Sequence, residues 1–450
     1  MNNTNKTMLT DLYQLTMNAA YFDNQKNDVA TFDLFIRKLP KDWGYFIANG
    51  IEDVVDYVTN IEFAEDDIKY LREQNIFEEE FLQTLVNFKF TGDVYAVKEG
   101  TPVFPNTPLV RVTGNRMEAQ FVETALLNMV NFQTMIATKA NRVVNAAKRG
   151  NNDAVVVDFG LRRAQEEDAA MKGSRAAYIG GAIATSNVKA GKEYRIPISG
   201  THAHSFVMSF PTELEAFRAY AKTFPNKPTL LIDTYDTEQG ARNAAKVGKE
   251  LEQRGKQLGA VRLDSGDLAE LSKKVRVILD EQGLNYVKIA ASNDLNEYKI
   301  DNMNDDGTKT TLYGVGTEMI TAKPVAAISG VYKLVEDGDG AKIKLAPGKR
   351  TYPGKKQIYR QEFDGKYVKD ILALDGEEID GTPLLEQVVK DGIRVREKAT
   401  LEQTRQYCLE EVSKLPEEIR LTKAKGFYNV QTSIGLNNLV NQLTQDFVQH

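Results

Sequence analysis

TLLIDTYDT (229–237) and GAVRLDSGD (259–267) follow one pattern: a short apolar run ends in Asp, Thr, Ser or Gly, and a helical stretch follows it. Behind the second run, LAELSKKVRVILDEQG (268–283) sets Leu268, Leu271, Val275 and Ile278 on one helix face and stops at Gly283. The pattern recurs in AVVVDFG (154–160), YIGGAIATSN (178–187), YRIPISGTHAHS (194–205), YVKIAASND (286–294) and TLYGVGTE (311–318). The later run ends are spaced by roughly 25–30 residues, the length of one strand–helix unit. Seven such units predict an α/β fold built on an irregular (β/α) barrel rather than an open sheet. A doubly wound sheet usually carries GxGxxG after its first strand, and the chain has none.

The flanks read differently. Residues 1–150 predict an N-terminal α/β domain. It opens with a helix in TDLYQLTMNAAYF capped by Thr10, followed by a strand in TFDLFIRKL where Phe32, Leu34 and Ile36 alternate. It ends in a long helix over about 116–149, closed by Gly150. Residues 151–330 hold the barrel. Residues 331–450 predict a C-terminal α+β extension. There Asp-Gly pairs in VYKLVEDGDGAKIKL and IYRQEFDGKYVKDIL signal hairpins, Pro347 and Pro353 mark a loop, and helices lie near 400–413 and 432–447.

Composition narrows the function. The 450 residues are 42% hydrophobic and 27% charged, with a net charge of -6. Such a chain lacks the basic surface that duplex nucleic acid demands. Cys408 is the only cysteine, so no internal disulfide and no CxxC metal site exists. With no apolar leader core and no apolar stretch of about 18 residues, the expectation is a cytoplasmic protein without a membrane span.

Barrel active sites gather at the C-terminal ends of the strands. Those ends hold Asp158-Phe159-Gly160-Leu161-Arg162-Arg163, His202 and His204, Asp233, Arg262 and Asp264, Ser292-Asn293, and Gly314, Gly316 and Thr317. Apart from His450, the two histidines are the chain's only imidazoles. Two apart in an extended segment, they point the same way. Each is either a core side chain bonded to backbone or a base, nucleophile or phosphate acceptor. Asp233 and Asp264 either cap helices or orient an imidazole and hold Mg²⁺, directly or through water. Asp236 and Asp267, immediately before helices, fit capping. Gly314 and Gly316 with Thr317 suit either a tight turn or a phosphate cradle, with Ser292-Asn293 as further donors. Arg262, inside an apolar run, needs an anionic partner. Tyr13 and Phe159 are core aromatics or the two faces of a ring sandwich.

TDLYQLTM (10–17), ETALLN (123–128), ATKANR (137–142), DFGLRRAQ (158–165), GTHAHSFVMSF (200–210), DTYDT (233–237), VRLDSGDL (261–268), ASNDLNEY (291–298), YGVGTE (313–318) and PGKKQIYR (353–360) together resemble the nicotinate phosphoribosyltransferase family, in order and over nearly the whole chain. The resemblance implies a type II phosphoribosyltransferase fold and a homodimer with shared sites. It implies transfer of phosphoribosyl from 5-phosphoribosyl 1-pyrophosphate to nicotinate, with Mg²⁺ and with ATP as co-substrate. The histidine that is transiently phosphorylated falls on His204, supported by Asp233 and Asp264. Phe159 and Tyr13 would stack on the pyridine ring, Arg262 and Ser205 would hold nicotinate, and Arg162 would lie near phosphates. Ser292, Asn293, Gly314, Gly316 and Thr317 would take the 5′-phosphate. Competing readings are a nicotinamide or quinolinate phosphoribosyltransferase and, in a different class, a non-catalytic scaffold barrel.

Overall fold

The computed structural model describes residues 5–346, 348–349 and 351–448; Pro347 and His450 lie outside them. The chain forms two compact units, residues 136–326 and residues 1–135 with 327–450.

The first of these holds a parallel sheet of six short strands: β1 (Val155–Asp158), β2 (Ala184–Thr185), β3 (Thr229–Leu231), β4 (Ala260–Leu263), β5 (Lys288–Ala291) and β6 (Leu312–Val315). Their order is β2-β1-β6-β5-β4-β3. The runs Val156–Asp158 and Ile289–Ala291 are buried residue after residue, as strands covered by helices on a parallel sheet must be. Two helices start at the expected carboxylate caps, and a third is capped by an amide. Asp236 accepts from the Gln239 N–H (2.7 Å), Asp267 from Glu270 (3.1 Å) and Asn296 from Lys299 (2.9 Å). Gly240 lets the helix Thr237–Glu252 touch the end of β3: a Cβ there would lie 2.0 Å from the Ile232 carbonyl oxygen. The helix Leu268–Glu281 buries Leu268, Val275 and Ile278 and stops before Gly283, whose φ is +69°.

Of the seven expected strands, YRIPISGTHAHS is missing. Only Ile198 makes an isolated parallel bridge, to Thr185. Pro197 has no N–H to continue a ladder, and Arg195 before it sits at φ +58°. The segment nevertheless links both edges of the sheet. On the β2 side, Thr185 N–H donates to the Pro197 carbonyl and Ser199 N–H to that of Thr185, each at 3.0 Å. On the β3 side the links are side chains: Thr201 Oγ1 donates to the Thr229 carbonyl (2.6 Å), and Leu231 N–H donates to His202 Nε2 (3.2 Å). Two alternate backbone groups of an edge strand are thus satisfied without a seventh strand.

The other unit is built on a seven-stranded antiparallel sheet. Its order is Gly340–Ala341, Gly330–Asp337, Val29–Ile36, Pro108–Asn115, Asp93–Ala96, Glu386–Lys390, Ile393–Arg394. The structure therefore groups the chain differently from three consecutive regions: the N-terminal and C-terminal stretches share one sheet, because Gly330–Asp337 pairs with Val29–Ile36. That last strand is buried at every residue after Val29, not at alternate ones. The expected long helix is two, Arg116–Phe121 and Glu123–Gly150. The first helix runs Leu12–Asp23, and its N-cap is Asp11 rather than Thr10. The second Asp-Gly forms the tip of a hairpin joining Lys356–Phe363 to Lys366–Leu374, with Asp364 at φ +50° and Gly365 at +72°, the signs a type I′ turn requires. Helices Leu401–Ser413 and Ile434–Val448 follow. Among the described residues no helix is long and apolar enough to cross a membrane.

Candidate active site

The ends of β3, β4 and β5 converge on one imidazole. His204 starts the short helix His204–Met208. Its Nδ1 lies 3.1 Å from Thr234 Oγ1. Its Nε2 faces two carboxylates, Asp264 Oδ2 at 3.6 Å and Asp233 Oδ1 at 4.0 Å. Each carboxylate has one oxygen tied down and the other turned to the ring. Asp233 Oδ2 accepts from the Asp264 N–H and the Ser265 hydroxyl, both at 2.7 Å. Asp264 Oδ1 accepts from the Ser292 hydroxyl. Asp233 Oδ1 is buried and has no hydrogen-bond partner. Neither acid caps a helix; Asp236 and Asp267 do.

His202 and His204 do not point the same way. The expectation needed an extended segment, and a helix begins at His204 instead. The His202 ring packs against Tyr220, Phe206 and Phe217, and its Nε2 accepts from Leu231. Nε2 must therefore be unprotonated. Burial pushes the imidazole down to about 4, helped by the positive charge of Arg262 and by His204 and opposed by a backbone contact at Ala203. The unfolded chain binds a proton near 6.5 that the folded chain refuses until about 4. Stability conferred by neutral His202 is complete above pH 6.5 and is lost as pH falls toward 4. Wild type is expected to lose about 2.5 kcal/mol more than His202→Gln between pH 7 and 4.5, as read from urea unfolding. Equal losses in both proteins would contradict this.

Arg262 leans on the same segment. Its Nη2 donates to the His202 carbonyl (3.2 Å), while Nε is buried without a partner. Burial lowers its affinity for a proton, Asp264 and Asp233 partly restore it, and nearby Arg162 opposes them. Arg162 itself is exposed in a single turn, Leu161–Arg163. At the end of β1, Asp158 is a scaffold: fully buried, it accepts from Gly160 N–H (2.8 Å), Ser174 (2.8 Å) and Thr185 (2.7 Å). Its neighbour Phe159 packs its ring against Gly314 of β6. A Cβ on Gly314 would come within 2.3 Å of the Phe159 ring, so glycine is needed there to seat the ring.

Beyond β5, Asn293 (φ +96°) and Asp294 (φ +43°) turn sharply, both exposed. A cavity of about 450 Å³ opens between this turn and Thr317, with Asp294, Asn296, Glu318 and Lys323 in its wall. Gly316 precedes the short helix Thr317–Ile320. Ser205 is exposed beside His204. Tyr13 belongs to the other unit, on the exposed face of Leu12–Asp23. Lys139 and Arg142 are both buried against Glu297, a structural use of their charge. Sequence reasoning missed Thr234 and Ser265. Both sit inside the quoted strand ends, and only the pairing of neighbouring strands reveals what they touch.

Three family models match in order: the nicotinate phosphoribosyltransferase N-terminal domain (residues 8–131), the nicotinate phosphoribosyltransferase family (155–331) and the C-terminal domain (380–440). A Mycobacterium tuberculosis relative named nicotinate phosphoribosyltransferase pncB2 is 42% identical over 421 residues, covering 93% of this chain and 90% of that protein. A Bacillus subtilis protein of the same name is 46% identical over 359 residues, covering 78% and 72%. The crystal structure of human nicotinic acid phosphoribosyltransferase superposes with a TM-score of 0.84 at 27% identity, covering 96% of this chain and 99% of that one. With strand ends that gather an imidazole, two carboxylates, a seated aromatic ring and a half-buried arginine, and with relatives of this likeness along almost its full length, the chain belongs to the nicotinate phosphoribosyltransferase family.

Proposed function

We propose that the protein transfers the phosphoribosyl group of 5-phosphoribosyl 1-pyrophosphate to nicotinate, giving nicotinate mononucleotide and pyrophosphate, with ATP coupled through transient phosphorylation of His204. The observation that carries this is the ring of His204, held at Nδ1 by Thr234 and open at Nε2 between two strand-end carboxylates. Nε2 attacks the γ-phosphorus of ATP, an N–P bond forms, and ADP leaves with the electrons of the broken P–O bond. Water later cleaves the N–P bond and releases phosphate. Alternating phosphorylation changes the site's affinity for substrates and products in turn.

Mg²⁺ suits the oxygens on offer. Asp233 Oδ1 is buried without a hydrogen bond, and Asp264 Oδ2 faces the same imidazole. Two carboxylates completed by phosphate oxygens and water are a usual Mg²⁺ set. When bound there, the ion neutralises charge on the departing pyrophosphate.

The pyridine nitrogen must be aimed at the anomeric carbon. Phe159 gives one face of that grip. Tyr13, exposed rather than spent in a core, gives the other from a second copy in a homodimer. Arg262 meets the nicotinate carboxylate with its partnerless Nε, and Ser205 adds a hydroxyl. Arg162, Asn293, Gly316 and Thr317 serve the phosphates. Gly314 serves by seating Phe159. Gly314→Ala is expected to raise KM for nicotinate by roughly tenfold, the scale of a lost ring stack; an unchanged KM in steady-state assays would refute the seat.

The test is product identification. Nicotinate, 5-phosphoribosyl 1-pyrophosphate and Mg²⁺ should yield nicotinate mononucleotide and pyrophosphate, faster with ATP, while nicotinamide or quinolinate yields little. Turnover of nicotinamide or quinolinate in preference to nicotinate would overturn the choice of base.

A further inference from the structure

The Ser292 side chain has no donor left for a phosphate. Its residue is 4% exposed. Its backbone N–H donates to the Leu263 carbonyl at 2.9 Å, and its single hydroxyl proton goes to Asp264 Oδ1. A serine oxygen with its proton committed presents only lone pairs, which a phosphate oxygen repels. By contrast Asn293, the next residue, is exposed and turned out of the strand.

We propose that Ser292 is a positioning residue: from the end of β5 it fixes one oxygen of Asp264, at the end of β4, so that the other faces His204 Nε2. A carboxylate free to rotate about its Cβ–Cγ bond offers either oxygen in either direction. One hydroxyl donor on Oδ1 removes that freedom and leaves Oδ2 at 3.6 Å from the imidazole. The neighbouring acid is treated alike: Asp233 Oδ2 takes the Ser265 hydroxyl and Oδ1 remains for the ring. Ser292 differs in being buried, so water cannot readily stand in for its hydroxyl. The sheet supplies the rigidity, because β4 and β5 are paired in register from Ala260 with Lys288 to Leu263 with Ala291, the residues just before Asp264 and Ser292.

The kinetic part of the test rests on the reading of His204 as the ATP-coupled group; the spectroscopic part does not. Ser292→Ala and Ser292→Thr are compared with wild type, all with ¹⁵N-labelled histidine. The chain has three histidines, so the imidazole spectrum is resolvable. Ser292→Ala should lower the ATP-stimulated kcat at least tenfold and leave KM for 5-phosphoribosyl 1-pyrophosphate within about threefold. It should also shift the His204 ring signals of the substrate-free protein and leave those of His202 in place. Ser292→Thr, which keeps the hydroxyl, should restore both. A tenfold rise in that KM with kcat unchanged would make Ser292 a phosphate ligand and overturn the proposal, as would unmoved His204 signals in Ser292→Ala. If wild type shows no ATP stimulation, the reading of His204 fails, and the His204 signals alone decide the case of Ser292.

Discussion

His204→Ala is expected to cut the ATP-dependent part of turnover by roughly 100-fold or more, the scale on which loss of a covalent nucleophile acts. No other described imidazole can take over. His202 has its Nε2 engaged by Leu231 and its ring enclosed by aromatic side chains. His204→Gln keeps a polar side chain near Thr234 and should fail equally, because an amide does not accept the phosphoryl group. Pyrophosphate release measured with and without ATP reads the effect. A variant that is still stimulated by ATP would remove His204 from the coupling.

Arg262→Gln is expected to raise KM for nicotinate by roughly 30–1000-fold, corresponding to about 2–4 kcal/mol for a desolvated charge-assisted pair. A cation with a buried, partnerless Nε and one bond to the His202 carbonyl has capacity for a carboxylate. Its nearest acids, Asp264 and Asp233, act on it only through space. Nicotinamide lacks the negative charge, so its turnover should change much less, and any preference for nicotinate should narrow. Arg262→Lys keeps the charge but loses the planar fork, and should fall between the two. Folding is not expected to suffer, since a poorly compensated buried cation contributes little stability. An unchanged KM for nicotinate in Arg262→Gln would place the carboxylate elsewhere.

Much of the parallel sheet was legible because parallel strands announce themselves twice, as apolar runs and as polar ends. β3 and β4 lie inside the quoted runs, and the caps at Asp236 and Asp267 follow from the carboxylate preceding each helix. What escaped depends on partners distant in sequence. The run 194–205 is apolar enough for a strand, but its bonds to β3 come from the side chains of Thr201 and His202, and periodicity cannot register that. Strand alternation paired His202 with His204, while the backbone turned into a helix at His204 and separated a ring bonded to the Leu231 backbone from one that faces two carboxylates. Ser292 and Gly314 looked like phosphate donors in local context. Across the sheet one holds Asp264 and the other seats Phe159. The sheet shared by the two ends of the chain was hidden for the same reason: Val29–Ile36 finds its partner about 300 residues later.

The proposed coupling depends on transfer of a phosphoryl group from ATP to one nitrogen of His204. Incubation with γ-labelled ATP and Mg²⁺, quenching in alkali and peptide mapping test it directly. An acid-labile, alkali-stable label is expected on the peptide containing residue 204, absent in His204→Ala and discharged as nicotinate mononucleotide forms. Label on another residue, or full ATP-stimulated turnover with no labelled protein at any time, would contradict it.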